Sequence, residues 1–208
     1  MPYIDAERRE IHVKIAFWGA ALAGKTTNLK FIHERTRPEL RSPLQVCPSQ
    51  SQDGTQYLRF DFVMLALGEI RGFRPRFHLC ACPGAQWEEG ARRDVLHGAD
   101  VVVFVADSQA ARADANLEMM ENLRAHLAAR PDEVPLTLQC NKRDLPAALP
   151  VDELKAMLGL DDVPTFEASA VQGAGVFETL KSSVKQAVMR LRALSDSNRG
   201  QHEEPDGA

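Results

Sequence analysis

The sequence predicts an α/β fold: a mostly parallel six-stranded sheet with one antiparallel edge strand and helices on both faces. Three observations carry this. Strand-like and helix-like patterns alternate along the 208 residues. The run Val101–Ala106 (VVVFVA) is apolar without alternation, as a strand covered on both faces requires. Two apolar runs flank Gly68–Gly72 (GEIRG), the signal of one hairpin.

The elements follow in order. An apolar run over His12–Trp18 predicts the first strand, and a helix begins near Lys25 and fades near Thr36. Pro38, Pro43 and Pro48 interrupt a polar segment, Pro38–Thr55, which reads as a loop. The hairpin strands are Tyr57–Ala66 and Arg76–Cys82, followed by a short helix around Glu88–His97 and the strand Val101–Ala106. Leu117, Met120, Leu123 and Leu127 recur at helical spacing within Asn116–Ala129. Leu136–Cys140 is the fifth strand, Val151–Leu158 a short helix and Thr165–Ala168 the sixth strand. A last helix over Gly175–Leu194 carries Leu180, Val184, Ala187, Val188, Leu191 and Leu194 on one stripe.

With 44% hydrophobic residues the chain has the material for one domain over residues 1–194, while residues 195–208 lack an apolar anchor and read as a disordered acidic tail. Acidic residues outnumber basic ones by 29 to 25, so a nucleic-acid surface is not expected. No stretch has the roughly 20 apolar residues of a membrane helix, the start lacks a signal-peptide h-region, and the end lacks a prenylation box. Cys47, Cys80, Cys82 and Cys140 show no paired framework and read as buried thiols in a reducing cytoplasm. His78 inside a strand reads as a structural histidine and Trp18 as packed on a neighbouring helix, whereas Trp87 is divided between core and interface. Arg71, Arg74, Arg76, Arg92 and Arg93 read first as a solvated face and second as a surface for an acidic partner.

In such sheets ligands sit at the carboxyl ends of the strands, and the chemistry-bearing motifs lie there. Directly after the first strand, Gly19-Ala20-Ala21-Leu22-Ala23-Gly24-Lys25-Thr26 matches G-x-x-x-x-G-K-[ST]. Glycines let successive N–H groups wrap phosphates, and the helix beginning at Lys25 adds its positive end. The Lys25 ammonium suits the β- and γ-phosphates, and the Thr26 hydroxyl suits Mg²⁺. After Leu136–Cys140 stands Asn141-Lys142-Arg143-Asp144. A buried Asp144 carboxylate would accept both the N1–H and N2–H hydrogens of guanine, whereas adenine presents an acceptor there. Lys142 would lay its stem over the ring, Asn141 would tie this turn to the phosphate turn, and Ser169-Ala170 would offer a backbone N–H to guanine O6. An ATP-utilising protein is a weaker reading, which Asn141–Asp144 opposes.

These pieces, in this order, resemble the Ras-like small GTPases, whose fold is a P-loop NTPase (Ras-like G domain), and are closer to a bacterial branch, the MglA proteins of cell polarity and gliding motility. The resemblance is carried by GKTTNL (Gly24–Leu29), LGEIRGFRPRFHL (Leu67–Leu79), VVFVADSQ (Val102–Gln109), NLRAHLA (Asn122–Ala128), NKRDLP (Asn141–Pro146) and GVFETLK (Gly175–Lys181). It implies a monomeric cytoplasmic switch, recruited to a cell pole, that binds GTP/GDP with Mg²⁺. It further implies a roadblock-type (MglB-like) activating protein and effectors at the switch regions and the 67–79 hairpin. Phosphate binding would involve Gly19, Ala21, Leu22, Ala23, Gly24, Lys25, Thr26, Thr27 and Gly84; metal binding, Thr26 and Thr55.

The hydrolysis residues depart from the family. Its water-orienting Gln falls on Ala85, with Gln86 one residue late; its polar strand end is Ala81; its second phosphate-turn glycine is Ala21. The switch-loop Thr falls on Tyr57, with Thr55 two residues earlier, and the cis Arg falls on Gln56, with Arg59 nearby. The sequence therefore predicts a slow or partner-dependent GTPase in which Gln86 and Arg59 are the candidate catalytic residues. The second reading is a GTP-binding adaptor that does not hydrolyse.

Overall fold

Strands β1 (Tyr3–Asp5), β2 (Glu10–Trp18), β3 (Gln45–Gln50), β4 (Gln56–Ala66), β5 (Arg74–Ala81), β6 (Val101–Asp107), β7 (Leu136–Asn141) and β8 (Thr165–Glu167) alternate with helices α1 (Lys25–Arg35), α2 (Glu89–Leu96), α3 (Ala113–Ala128), α4 (Val151–Leu158) and α5 (Val176–Gly200). This is a computed structural model, and it describes residues 3–50, 56–83, 89–130 and 132–200. One sheet runs β3-β4-β5-β2-β6-β7-β8, with β1 paired to β2. The pairs β2–β5, β2–β6, β6–β7 and β7–β8 are parallel, while β1–β2, β3–β4 and β4–β5 are antiparallel.

Among the described residues the sheet has eight strands rather than the expected six. β1 is only three residues long, too short for periodicity to reveal, and is held by the pairing of Tyr3 with His12 and Asp5 with Glu10. β3 lies inside the expected loop Pro38–Thr55, which also contains a 3₁₀ turn at Pro38–Leu40. Its register shifts between Cys47 and Pro48, a bulge that accommodates a residue with no N–H to donate. The antiparallel hairpin strand β4 is consequently interior, and β3 forms the edge.

β6 is buried at every position, in keeping with its unbroken apolar run. The helices close the two faces: α1 packs with α5, and α3 with α4. Trp18 is fully buried, and its indole N–H donates to the Met119 carbonyl of α3 at 3.1 Å. Cys80, Cys82 and Cys140 are buried, and burial pushes the Cys140 thiol up to about 11. The arginine group is not a uniform solvated face: Arg76 pairs with Glu10 at 2.6 Å, and Arg92 is buried. α5 runs on to Gly200, past Leu194 where its apolar stripe ends; residues 201–208 of the expected tail, and Trp87, lie outside the described residues.

His78 has a structural place, between His12 and Phe62. Its Nε2 lies 2.8 Å from His12 Nδ1, and its ring stacks on both neighbours. Burial, then the nearby His12, Lys14 and Arg76, holds its pKa down to about 4 from 6.5. The folded chain thus binds fewer protons than the unfolded chain between these values. Stability is complete above about pH 6.5 and falls as pH drops toward 4. Partial exposure reduces the expected loss to about 2 kcal/mol. Chemical denaturation at pH 7 and pH 4.5 should show this drop, and a His78→Phe variant should show a smaller one.

Candidate nucleotide-binding site

The parallel strands β2, β6 and β7 end at one edge of the sheet, so the turns after them meet. The turn after β2 has φ values of 137° at Gly19 and 103° at Gly24, conformations that suit glycine. A methyl group at Gly19 would lie 2.3 Å from the Val105 carbonyl, and one at Gly24 would lie 2.2 Å from the Asn141 amide nitrogen. The two glycines therefore allow close approach as well as turning. Leu22 also has positive φ, at 64°, and is 84% exposed, a non-glycine strain of the sort found at ligand-binding turns. Ala21 is exposed, Ala23 buried, and Thr26 and Thr27 fall in the first turn of α1.

Lys25 is buried and its ammonium folds back over the turn, donating to the Gly19 and Ala20 carbonyls at 2.6 and 2.7 Å. The Thr26 hydroxyl donates to the Asp61 carboxylate on β4. Asp61 stands directly opposite Ala81 in the β4–β5 ladder. Ala81 is the strand end where the family pattern asks for a polar residue, and the Asp61 carboxylate stands one strand over from it. Sequence reading missed Asp61. Its signal was a lone acid in the otherwise apolar stretch FDFVML, legible only once the register across the hairpin is known.

Asn141 joins the two turns. Its Nδ2 donates to the Ala23 carbonyl at 2.7 Å, and its Oδ1 accepts from the Ala170 N–H at 2.9 Å. Beneath them lies a buried chain that the sequence also hid. Asn28 Nδ2 donates to the Gly24 carbonyl at 3.0 Å and to Gln139 Oε1 at 2.8 Å, and Gln139 Nε2 donates to Thr179 Oγ1 at 3.0 Å. α1, β7 and α5 are thereby locked under the phosphate turn; buried polar groups satisfied in this way specify a single arrangement.

Several expectations need correction. Asp144 is exposed rather than buried, because it sits in the surface turn closed by the Leu145 N–H on the Lys142 carbonyl at 3.1 Å. The N–H groups of Ser169 and Ala170 have protein acceptors instead of facing an open base pocket. Ser169 donates to the Ala174 carbonyl at 3.0 Å, and Ala170 donates to Asn141, because residues 169–174 form a tight turn. Lys142, at φ 65°, directs its ammonium to Asp107 at 2.7 Å. Thr55, Gly84, Ala85 and Gln86 lie outside the described residues, as do the side chains of Gln56, Tyr57 and Arg59.

Oxygen donors at Thr26 and Asp61 fit Mg²⁺, which takes oxygen ligands and keeps several waters. Among the described residues no cluster of three or more His, Cys, Asp or Glu could hold a metal by itself.

Over 195 residues the chain is 44% identical to the mutual gliding-motility protein MglA of Myxococcus xanthus, covering 92% of this chain and 98% of that one. The chain belongs to the MglA family of Ras-like small GTPases. Members of that family are GTP-binding switches. The ADP-ribosylation factor family model matches residues 90–189. The ADP-ribosylation factor-like protein 3 of Chlamydomonas reinhardtii is 27% identical over 189 residues, 86% of this chain and 93% of its own. At 92% of this chain the MglA match includes both the phosphate turn and the Asn141–Asp144 turn, whereas the ADP-ribosylation factor family model includes only the latter. No helix among the described residues is long and apolar enough to cross a membrane.

Proposed function

We propose that this chain is a single-domain switch that holds Mg·GDP or Mg·GTP at the turns after β2, β6 and β7 and hydrolyses GTP slowly. The observation that supports this most is the Asn141 amide, which joins the phosphate turn, the N-K-x-D turn and the Ala170 turn around one candidate site. In it, the N–H groups of Gly19–Thr27 would wrap the phosphates and Lys25 would turn from its carbonyls to the β- and γ-oxygens. Asp144 would accept from guanine N1 and N2, and Ser169-Ala170 would wall the base. Thr26 and Asp61 would hold Mg²⁺ directly and through water, and the ion would neutralise phosphate charge. Burial of the thiols of Cys80, Cys82 and Cys140 supports a reducing, cytoplasmic setting.

Hydrolysis needs an oriented water and charge stabilisation. Ala85 offers no hydrogen bond for the first, which leaves Gln86, Arg59 or a roadblock-type, MglB-like partner to supply the missing groups. The adaptor reading draws on the same Ala85; Asp61, by restoring a metal-side carboxylate, favours cycling. The test is chromatography of the bound nucleotide followed by single-turnover GTP hydrolysis. Unaided turnover at or below about 10⁻⁴ per second is expected. A roadblock-type partner should raise it, and Ala85→Gln should raise it at least about tenfold. No turnover under any of these conditions would establish the adaptor instead.

A further inference from the structure

We propose that Asp107 and Arg112 are positioning residues for the nucleotide, a carboxylate clamp that sets the base turn and the phosphate turn in one register. The inference rests on the nucleotide reading above. Asp107 closes β6 with no exposed surface, where a carboxylate stays charged only if it is partnered. Its backbone is fixed first: the Asn116 side chain accepts from its N–H at 3.1 Å and donates to its carbonyl at 2.8 Å. The carboxylate then has one orientation. Oδ1 accepts from the Gln109 N–H at 3.2 Å and from Gln109 Nε2 at 3.0 Å. Oδ2 accepts from Lys142 Nζ at 2.7 Å and lies 3.7 Å from Arg112 Nε. Arg112 in turn donates Nη2 to the Ala21 carbonyl at 2.8 Å.

One dry carboxylate is therefore shared by a cation of the base turn and a cation that grips the phosphate turn. The backbone of Lys142 is left-handed at φ 65°, a conformation a lysine keeps only when its surroundings impose it. Pinning its ammonium on Asp107 is one such restraint, and it fixes the stem that would lie along the base. Through Arg112 the same carboxylate bears on Ala21, so neither turn shifts without the other. Asn141 ties the turns through neutral hydrogen bonds; Asp107 adds a charged link from the end of β6.

The test follows release of a fluorescent GDP from the full chain and the GDP-to-ADP affinity ratio. Asp107→Asn should release GDP about 100-fold faster and lower the ratio about tenfold, because a loosened base turn discriminates less. A merely structural role would lower the melting temperature and leave the ratio alone. Arg112→Gln should speed release about fivefold in the native background and less than twofold in the Asp107→Asn background. Release within twofold of native with an unmoved ratio, or fully multiplicative effects, would overturn the clamp. Should Asp107→Asn not fold, Arg112→Gln combined with Lys142→Met reads the same coupling, and multiplicative effects again overturn it. A native chain that holds GDP no better than ADP defeats the nucleotide reading itself; native selectivity with unmoved variants defeats only the clamp.

Discussion

Replacing Asp144 by alanine is expected to weaken GTP binding by about 10²–10⁴ while leaving the folded chain as stable as before. The carboxylate would accept two hydrogen bonds from guanine, and bonds to a charged group contribute about 1.5–3 kcal/mol each. Two of them amount to about 3–6 kcal/mol, or two to four decades at 1.36 kcal/mol per decade. Because Asp144 is exposed in its turn, its removal breaks no packing, and surface changes of this sort stay within about 0.5 kcal/mol. Titration calorimetry with GTP and ATP, beside a thermal melt, separates the two effects. The GTP-to-ATP ratio should collapse toward one with the melting temperature unchanged. A ratio that survives Asp144→Ala would place base recognition elsewhere in the pocket.

That expectation was legible in the sequence because both motifs are local. Gly19–Thr26 and Asn141–Asp144 each require a strand end and a short turn, and the apolar runs before them announce the strands. What stayed hidden was non-local or too short. β1 has three residues, and β3 carries a proline at its bulge, so neither shows alternation. Gln139 reads as a polar intrusion in LTLQC until Asn28 and Thr179 are found on either side of it. The role of Asp144 suggests burial, yet its exposure follows from its place in the turn. The occupied N–H groups of Ser169 and Ala170 depend on the closure of residues 169–174, which no spacing reveals.

Asp61 is the sharpest case, and it yields the second large effect. Asp61→Ala is expected to lower the apparent Mg²⁺ affinity of the nucleotide complex about 10–100-fold, the usual consequence of losing a carboxylate that supports a metal ligand. The argument starts from the ladder. Asp61 pairs with Ala81, so the carboxylate stands beside the strand end where the family pattern puts a polar residue, and the Thr26 hydroxyl already donates to it. Without Asp61, Thr26 loses its acceptor, and a water on a bound Mg²⁺ would lose a negative partner. GDP release measured against free Mg²⁺ should then shift its midpoint upward, with release in excess chelator unchanged. Moving the acid across the ladder supplies the control: Ala81→Asp added to Asp61→Ala should recover part of the midpoint even if burial at position 81 makes the protein less stable. A midpoint that ignores Asp61→Ala would leave its bond to Thr26 as a fastening between α1 and β4 with no part in holding the metal.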